Sequence, residues 1–136
     1  MAGIGDTRLT LRFFGDDLDP SELTELLGGV PRRSWVKGEI RHSRSGDKVR
    51  ESGAWLFSVP DREPCDLDGQ FKQLFSELSA DLELWRSLTS RFGADFWCGL
   101  FMAKGNEGFT LEPDTLAALG DRGLRVHFDI YDAADD

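Results

Sequence analysis

The strongest constraint on the fold is an apolar periodicity that runs from Leu67 to Phe92. Large apolar side chains recur there every three or four residues: Phe71, Leu74, Phe75, Leu78, Leu82, Trp85, Leu88 and Phe92. This spacing places them on one face of an α-helix. A single straight helix would extend about 40 Å at 1.5 Å per residue, which is long for a small domain. We therefore expect a break at Ser79-Ala80-Asp81.

Alternating apolar and polar residues predict a first strand, Thr7 to Phe14. Its buried face is formed by Leu9, Leu11 and Phe13. Asp19-Pro20 then supplies the N-cap and the first-turn proline of a helix, which Gly28-Gly29 ends. We expect this helix to bury Leu23, Leu26 and Leu27.

The rest of the chain predicts four more strands and one more helix. Strands are expected at Pro31–Ile40, Gly53–Val59, Asp95–Ala103 and Leu124–Tyr131, and a helix begins at Glu112-Pro113. The last strand is expected to bury Leu124, Val126, Phe128 and Ile130. The resulting order, βαββαβαβ, begins with ferredoxin-like elements. It predicts an α+β fold, with a mainly antiparallel sheet of about five strands and helices on one face.

The length and composition predict one α+β domain over residues 1–136, with 40% hydrophobic residues for a single core. Residues 41–52 are expected to form a mobile basic loop, and residues 132–136 a frayed acidic tail. The start of the chain has no leader pattern, and no apolar run approaches the roughly 18 residues of a membrane span. We expect a cytoplasmic protein without a membrane partner. The cysteines, Cys65 and Cys98, imply no disulfide and fit a reducing compartment.

Charge is distributed unevenly along the chain. The net charge is -9, which argues against attraction of the whole surface to nucleic acid, so a nucleic-acid partner is not expected. Residues 32–50 nevertheless contain seven basic residues and two acids. This basic segment is either an anion-binding surface or a solvated loop that pairs with the acidic body.

Several segments together resemble the bacterial domain-of-unknown-function family 4279. The likeness covers nearly the whole chain, in order, and rests on Leu11–Pro20, Ser34–Gly38, Gly53–Trp55, Cys98–Phe101, Gly105–Leu111 and Phe128–Tyr131. The resemblance implies a bacterial cytoplasmic setting, but that family supplies no catalytic residue to carry over. Some members look as though they accompany mobile or toxin-immunity genes, which implies an immunity-like role. Family-like sequences tend to have a proline in the long helical region where this chain has Ser79-Ala80.

The residue inventory argues against metal and nucleophilic chemistry. Two histidines and two cysteines, none at ligand spacing, cannot form a four-ligand zinc site, so we expect no metal or cofactor. Cys98 alternates with apolar residues and is predicted to lie in the core, while His42 lies in the basic loop. We assign no catalytic residue, and whether the protein is an enzyme stays open.

Polar side chains on two predicted strands mark a candidate site. Arg12 in the first strand and His127 and Asp129 in the last lie on the faces opposite the apolar ones. The candidate ligand-binding residues are Arg32, Arg33, Trp35, Lys37, Arg12, His127 and Asp129. The same sheet face is equally interpretable as a wet surface with cross-strand charge pairs or as a dimer surface. Three tryptophans are either stacking surface or core: Trp35, Trp55 and Trp97.

Two functions fit these observations. The leading hypothesis is a non-catalytic interaction or immunity-like module, whose acidic body would attract a basic protein partner. The alternative is a protein, conceivably an enzyme, that binds a small anionic ligand or nucleotide at the basic and aromatic segment around Trp35. The sequence leaves the oligomeric state open, with a dimer as one option.

Overall fold

The structure of the protein is a computed structural model, and it describes residues 7–103 and 108–132. In chain order, the described residues form β1 (Thr7–Gly15), α1 (Pro20–Leu27), β2 (Arg33–Trp35), β3 (Ile40–Arg41), β4 (Lys48–Val49), β5 (Gly53–Ser58), α2 (Leu67–Glu77), α3 (Leu82–Arg91), β6 (Gly93–Phe101), α4 (Pro113–Arg122) and β7 (Arg125–Tyr131). Most of the predicted turn at 104–108 and of the acidic tail at 132–136 lies outside these ranges.

Five strands form one sheet in the order β2-β5-β1-β6-β7. Each neighbouring pair is antiparallel except β6 and β7, which run parallel and are joined through α4. The prediction of an α+β fold with a mainly antiparallel sheet is confirmed. The ferredoxin-like order of the first elements is also present, because β5 lies between the parallel strands β1 and β2, and β1 lies between the parallel strands β5 and β6. Strand β7 extends this arrangement as a direct parallel neighbour of β6.

All four helices of the described chain contribute to a single core against the same face of the sheet. Strand β1 supplies Leu9, Leu11 and Phe13, and these side chains are at most 1% exposed. They pack with residues from the helices and neighbouring strands, including Leu23, Leu27, Trp55, Phe71, Leu74, Trp85, Leu88, Phe96 and Leu119. Within residues 7–103 and 108–132, no helix covers the opposite face of the sheet.

The predicted break in the long helical segment is confirmed. Helix α2 ends at Glu77 and α3 begins at Leu82, with Asp81 as its N-cap. The Asp81 carboxylate accepts hydrogen bonds from the backbone N–H groups of Glu83 and Leu84. Between the helices, the Ser79 N–H donates to the carbonyl oxygen of Leu27 at 2.8 Å. A capping aspartate therefore restarts the helix without a proline.

Three local predictions were wrong. The expected strand Pro31–Ile40 is interrupted after Trp35, because a turn with a left-handed Gly38 separates β2 from β3. Leu26 is 40% exposed, since it lies on the outer side of a short helix. Phe128 and Ile130 are 36% and 64% exposed, because β7 is an edge strand that α4 covers only in part.

None of the helices in the described ranges has the length and hydrophobicity that a membrane crossing requires.

Candidate functional site

The sheet surface opposite the helices, here called the helix-free face, carries an unusual set of arginine and aromatic side chains. Strand alternation and register assign its members: Arg33 and Trp35 on β2, Leu56 and Ser58 on β5, Arg8, Thr10, Arg12 and Phe14 on β1, Asp95, Trp97, Gly99 and Phe101 on β6, and Arg125, His127, Asp129 and Tyr131 on β7. One row of residues paired across all five strands contains three arginines: Arg33, Leu56, Arg12, Asp95 and Arg125.

Arg12 and Asp95 occupy the centre of this row on neighbouring strands. The guanidinium donates from Nε to Oδ1 at 2.8 Å and from Nη2 to Oδ2 at 2.7 Å. This hydrogen bonding raises the pKa of Arg12 and outweighs the opposing effect of its partial burial. Because the pair is bidentate, it fixes the orientation of a cation that the rest of the face surrounds.

Trp97 lies beside this pair and spreads across the sheet surface. Its Nε1–H donates to Oδ2 of Asp129 on β7 at 2.6 Å, and its benzo ring covers Gly99. A methyl group at Gly99 would lie 2.5 Å from Cη2 of Trp97, so the absence of a side chain there makes room for the ring. The indole is partly exposed. The Trp97 indole therefore presents an aromatic surface of fixed orientation to solvent.

Asp129 is the group that anchors Trp97. The hydrogen bond from Trp97 is the main cause that lowers the pKa of Asp129, with a further contribution from the side chain of His127. His127 Nε2 lies 3.3 Å from Oδ1 of Asp129. Ring nitrogens on two strands thus share one carboxylate, which keeps the indole in place.

A second aromatic group lies at the far end of β6 and β7. The rings of Phe101 and Tyr131 stack with centroids 4.6 Å apart and planes inclined by 6°. The Arg8 guanidinium lies 4.5 Å from the Phe101 centroid and also pairs with Asp61 at 3.3 Å. Cation and rings therefore extend the polar-aromatic surface along the strands.

Trp35 forms the opposite margin of the face, on the edge strand β2. The guanidinium of Arg50 lies 3.7 Å from its ring centroid, and that of Arg33 lies 5.4 Å away. Its Nε1–H donates to the carbonyl oxygen of Ser52 at 3.0 Å. An aromatic ring with two close cations is suited to an anion that bears a planar group.

The predicted basic loop contains regular structure. Residues 36–52, here called the basic arm, include a two-stranded ribbon in which Ile40 pairs with Val49 and Arg41 with Lys48. At its tip, His42 Nδ1 lies 2.9 Å from the Asp47 carboxylate. The mobility of this segment stays a prediction, but its base is tied to the sheet through Trp35.

A shallow depression of about 230 Å³ opens at one end of the helix-free face. Its lining includes Phe14, Gly93, Asp95 and Arg125. The depression adjoins the central Arg12–Asp95 pair, so a ligand on the face would have one recessed position available beside an arginine.

The structure brings five of the seven candidate residues onto the helix-free face: Arg12, Arg33, Trp35, His127 and Asp129. Arg32 precedes β2, where its N–H donates to the carbonyl of Leu56, and Lys37 pairs with Asp16 at 3.2 Å. These two lie at the margin. Of the three tryptophans, Trp55 is fully buried in the core.

Sequence reasoning missed the roles of Asp95, Trp97 and Arg50. The sequence contains a signal for Trp97, because Cys98 is predicted to lie in the core and strand alternation puts its neighbour Trp97 on the other face. The partnership of Asp95 with Arg12 required the strand order, which sequence periodicity does not specify.

The prediction that Cys65 and Cys98 are not bonded to each other is confirmed. Cys98 is buried in the core, and burial raises its pKa from 9.0 to about 12. A thiol held in its protonated form is a poor nucleophile. Its predicted core role is confirmed.

The helical side of the molecule is rich in acidic residues, in contrast to the arginine-rich helix-free face. The four helices and their N-caps contain eleven carboxylates, Asp19, Glu22, Glu25, Asp66, Asp68, Glu77, Asp81, Glu83, Glu112, Asp114 and Asp121, against the cations Lys72, Arg86, Arg91 and Arg122. Several of the acids serve the fold: Asp19, Asp66 and Asp81 cap helices, and Asp68 accepts the Glu112 N–H at 2.9 Å.

The fold and this surface define an α+β protein with an open sheet face that is rich in arginine and aromatic side chains. The model of the family described as a domain of unknown function, DUF4279, matches residues 6–133. The chain belongs to this family. Neither a curated protein nor a solved structure matches the chain.

Proposed function

We propose that this protein is a non-catalytic binding module that recognises a nucleotide-type ligand, meaning a planar base with its phosphate, on the helix-free face. The observation that carries the proposal is the Trp97 indole, which Asp129 holds across the sheet surface beside Arg12. An indole anchored in this way stacks a planar ring without first losing side-chain freedom.

The positions of the arginines support the phosphate half of this chemistry. Arg33 and Arg50 lie close to the second exposed indole, Trp35, and Arg125 lines the recessed end of the face. Guanidinium groups bind phosphate oxygens in bidentate geometry. Aromatic rings beside such cations are a common arrangement in surfaces that bind single strands.

The segregation of charge reconciles this proposal with the net charge of -9. Acids predominate in the helical layer, while the basic arm and the arginines of β1, β2 and β7 lie on or beside the helix-free face. Screening limits the reach of the helical acids to about 8–10 Å at physiological salt. Local contacts on the face therefore determine whether an anion binds.

Fluorescence anisotropy with a labelled oligothymidylate of about 12 nucleotides tests the proposal. We expect binding that weakens as salt rises, and a loss of about tenfold or more in the double variant Arg33→Gln/Arg50→Gln. The matched control is Arg86→Gln, which removes an exposed arginine from α3 on the helical side. An equal loss in both variants, or no binding at low salt, would contradict the proposal.

Thymidine monophosphate separates the two possible sources of the nucleotide. If the monophosphate displaces the labelled oligothymidylate at a concentration similar to that of the unlabelled oligonucleotide, the site binds a free nucleotide. Competition only by the oligonucleotide would assign it to a strand that spans several positions on the face.

The acidic helical layer favours a second candidate function, an immunity-like module that binds a basic protein. Its supporting observation is the excess of carboxylates on α1, which has no basic residue of its own: Glu22 pairs with Arg91 of α3, and Glu25 is exposed. The test is capture of partners from the native host at low and high salt, with wild type compared with Glu25→Gln. A salt-sensitive partner that is lost in this variant and kept in Arg33→Gln would favour this candidate.

A cytoplasmic location, in a bacterium, accompanies either candidate. The Cys98 thiol supports this location, because it forms no disulfide and thiols persist in a reducing compartment.

A further inference from the structure

The outer edge of β7 is open within the part of the chain that the structure describes. Strand β7 is the last strand in the sheet order, and no described strand pairs with its outer side. It contains seven residues, Arg125 to Tyr131. An open edge of this length presents backbone donors and acceptors to another strand.

The other edge of the sheet is protected differently. Strand β2 has only three residues, follows Pro31, and continues directly into the basic arm. Short strands, prolines and charged neighbours are the features that prevent edge pairing. Strand β7 is longer and contains no proline or lysine, and the charged side chain in its interior, Asp129, accepts the hydrogen bond of Trp97.

Apolar side chains accompany the open edge on the helical side of the sheet. Phe128 is 36% exposed, Ile130 64% and Phe109 42%, and the rings of Phe109 and Phe128 lie 5.8 Å apart. Leu116 on α4 is 53% exposed. A strand that paired with β7 would place its own apolar residues beside this strip and remove it from water.

Charge complementarity identifies the strand that fits. In an antiparallel pairing of β7 with a second copy, centred on His127, each Arg125 lies opposite Asp129 of the second copy. Val126 then lies opposite Phe128 on the apolar side. The Arg125 side chain forms no ion pair or hydrogen bond with another described residue, so the pairing gives it a carboxylate partner.

We infer that the protein forms a two-fold symmetric dimer through antiparallel β7–β7 pairing centred on His127. The two sheets then form one continuous ten-stranded sheet, and the two helix-free faces lie on the same side of it. This inference does not depend on the proposed ligand, because its evidence is the edge, the apolar strip and the charge register.

Sedimentation equilibrium tests the dimer and its register together. We expect the wild type to have twice the 15.2 kDa chain mass, and Arg125→Glu to dissociate at least about tenfold more easily because the new carboxylate would face the carboxylate of Asp129. Asp129→Arg should dissociate in the same way. Mixing these two variants should restore a dimer, since both cross-strand pairs would then join opposite charges. The control Arg86→Glu, which reverses an exposed arginine on α3, should remain dimeric.

A second variant keeps the test independent of Asp129, which also anchors Trp97. Ile130→Asp introduces a charge into the apolar strip at a position that is already mostly exposed. Circular dichroism of this variant should therefore show a normally folded chain, and its dimer should dissociate more easily than that of the wild type. A monomeric wild type at about 100 μM would overturn the inference. A dimer that is insensitive to Arg125→Glu, or that the mixture fails to restore, would overturn the register.

Discussion

The bidentate pair between Arg12 and Asp95 joins the central strand β1 to β6 on the helix-free face, with Nε–Oδ1 and Nη2–Oδ2 distances of 2.8 and 2.7 Å. Its side chains are 29% and 19% exposed, less than those of the bidentate Arg91–Glu22 pair at 44% and 37%. The two pairs therefore have similar chemistry in different environments.

We expect Arg12→Lys to lower the free energy of unfolding by about 1–2 kcal/mol, because an ammonium cannot make both bonds in the same plane. Arg91→Lys, the matched control, should cost about 0–0.5 kcal/mol. Urea denaturation followed by circular dichroism measures both values. Equal losses would show that partial burial on the helix-free face does not strengthen the pair.

The hydrogen bond from Trp97 to Asp129 predicts a specific acid titration. The folded protein holds the pKa of Asp129 below its ordinary 3.8, so this contribution to stability is present above that pH and is lost as pH falls through the folded-state pKa. Trp97→Phe removes the donor and should raise the pKa of Asp129. Carboxyl ¹³C NMR titration measures the change, and an unchanged midpoint in the variant would refute the assigned cause.

The space above Gly99 predicts that Gly99→Ala displaces the indole. An added methyl group would lie 2.5 Å from Cη2 of Trp97 and 3.2 Å from Cε2 of Phe101, so the Trp97 ring has to move. We expect a cost of about 1–3 kcal/mol in thermal unfolding and weaker oligothymidylate binding. The control is Gly120→Ala on α4, where nothing lies within 4 Å of the new methyl group. Its helical position should make the control slightly more stable than wild type.

The cysteines should differ in reactivity. Burial raises the pKa of Cys98 to about 12, and its side chain is inaccessible, whereas Cys65 is only partly buried. Relative to an ordinary thiol of pKa 9.0, the thiolate population of Cys98 is lower by about a thousandfold. Native labelling with a thiol reagent at neutral pH should modify one cysteine quickly, and both only in denaturant. Rapid modification of both native thiols would contradict this assignment.

The sequence predicted most of the fold because local chemistry determines it. Alternation fixed the buried face of β1, and the capping residues Asp19 and Asp81 marked helix starts that the structure contains. The prediction failed where burial depends on position in the sheet: Ile130 has a buried-strand pattern but lies on an edge strand.

The candidate surface was predictable only in part for the same reason. Polar alternation placed Arg12, His127 and Asp129 on faces without helices, and the basic segment located Trp35. The pairing of β6 between β1 and β7 is what brings Trp97 to Asp129, and that order depends on long-range packing.

The four tryptophan indoles provide the most direct measurement of whether the helix-free face is the recognition surface. Trp35 and Trp97 are partly exposed on this face, while Trp55 and Trp85 are fully buried and serve as internal controls. Each indole N–H donates a hydrogen bond within the protein, so each should give a resolved ¹⁵N–¹H signal. Titration with oligothymidylate should shift the signals of Trp35 and Trp97 and leave those of Trp55 and Trp85 in place. Unchanged signals from Trp35 and Trp97, or shifts confined to residues of the helical layer, would contradict the account.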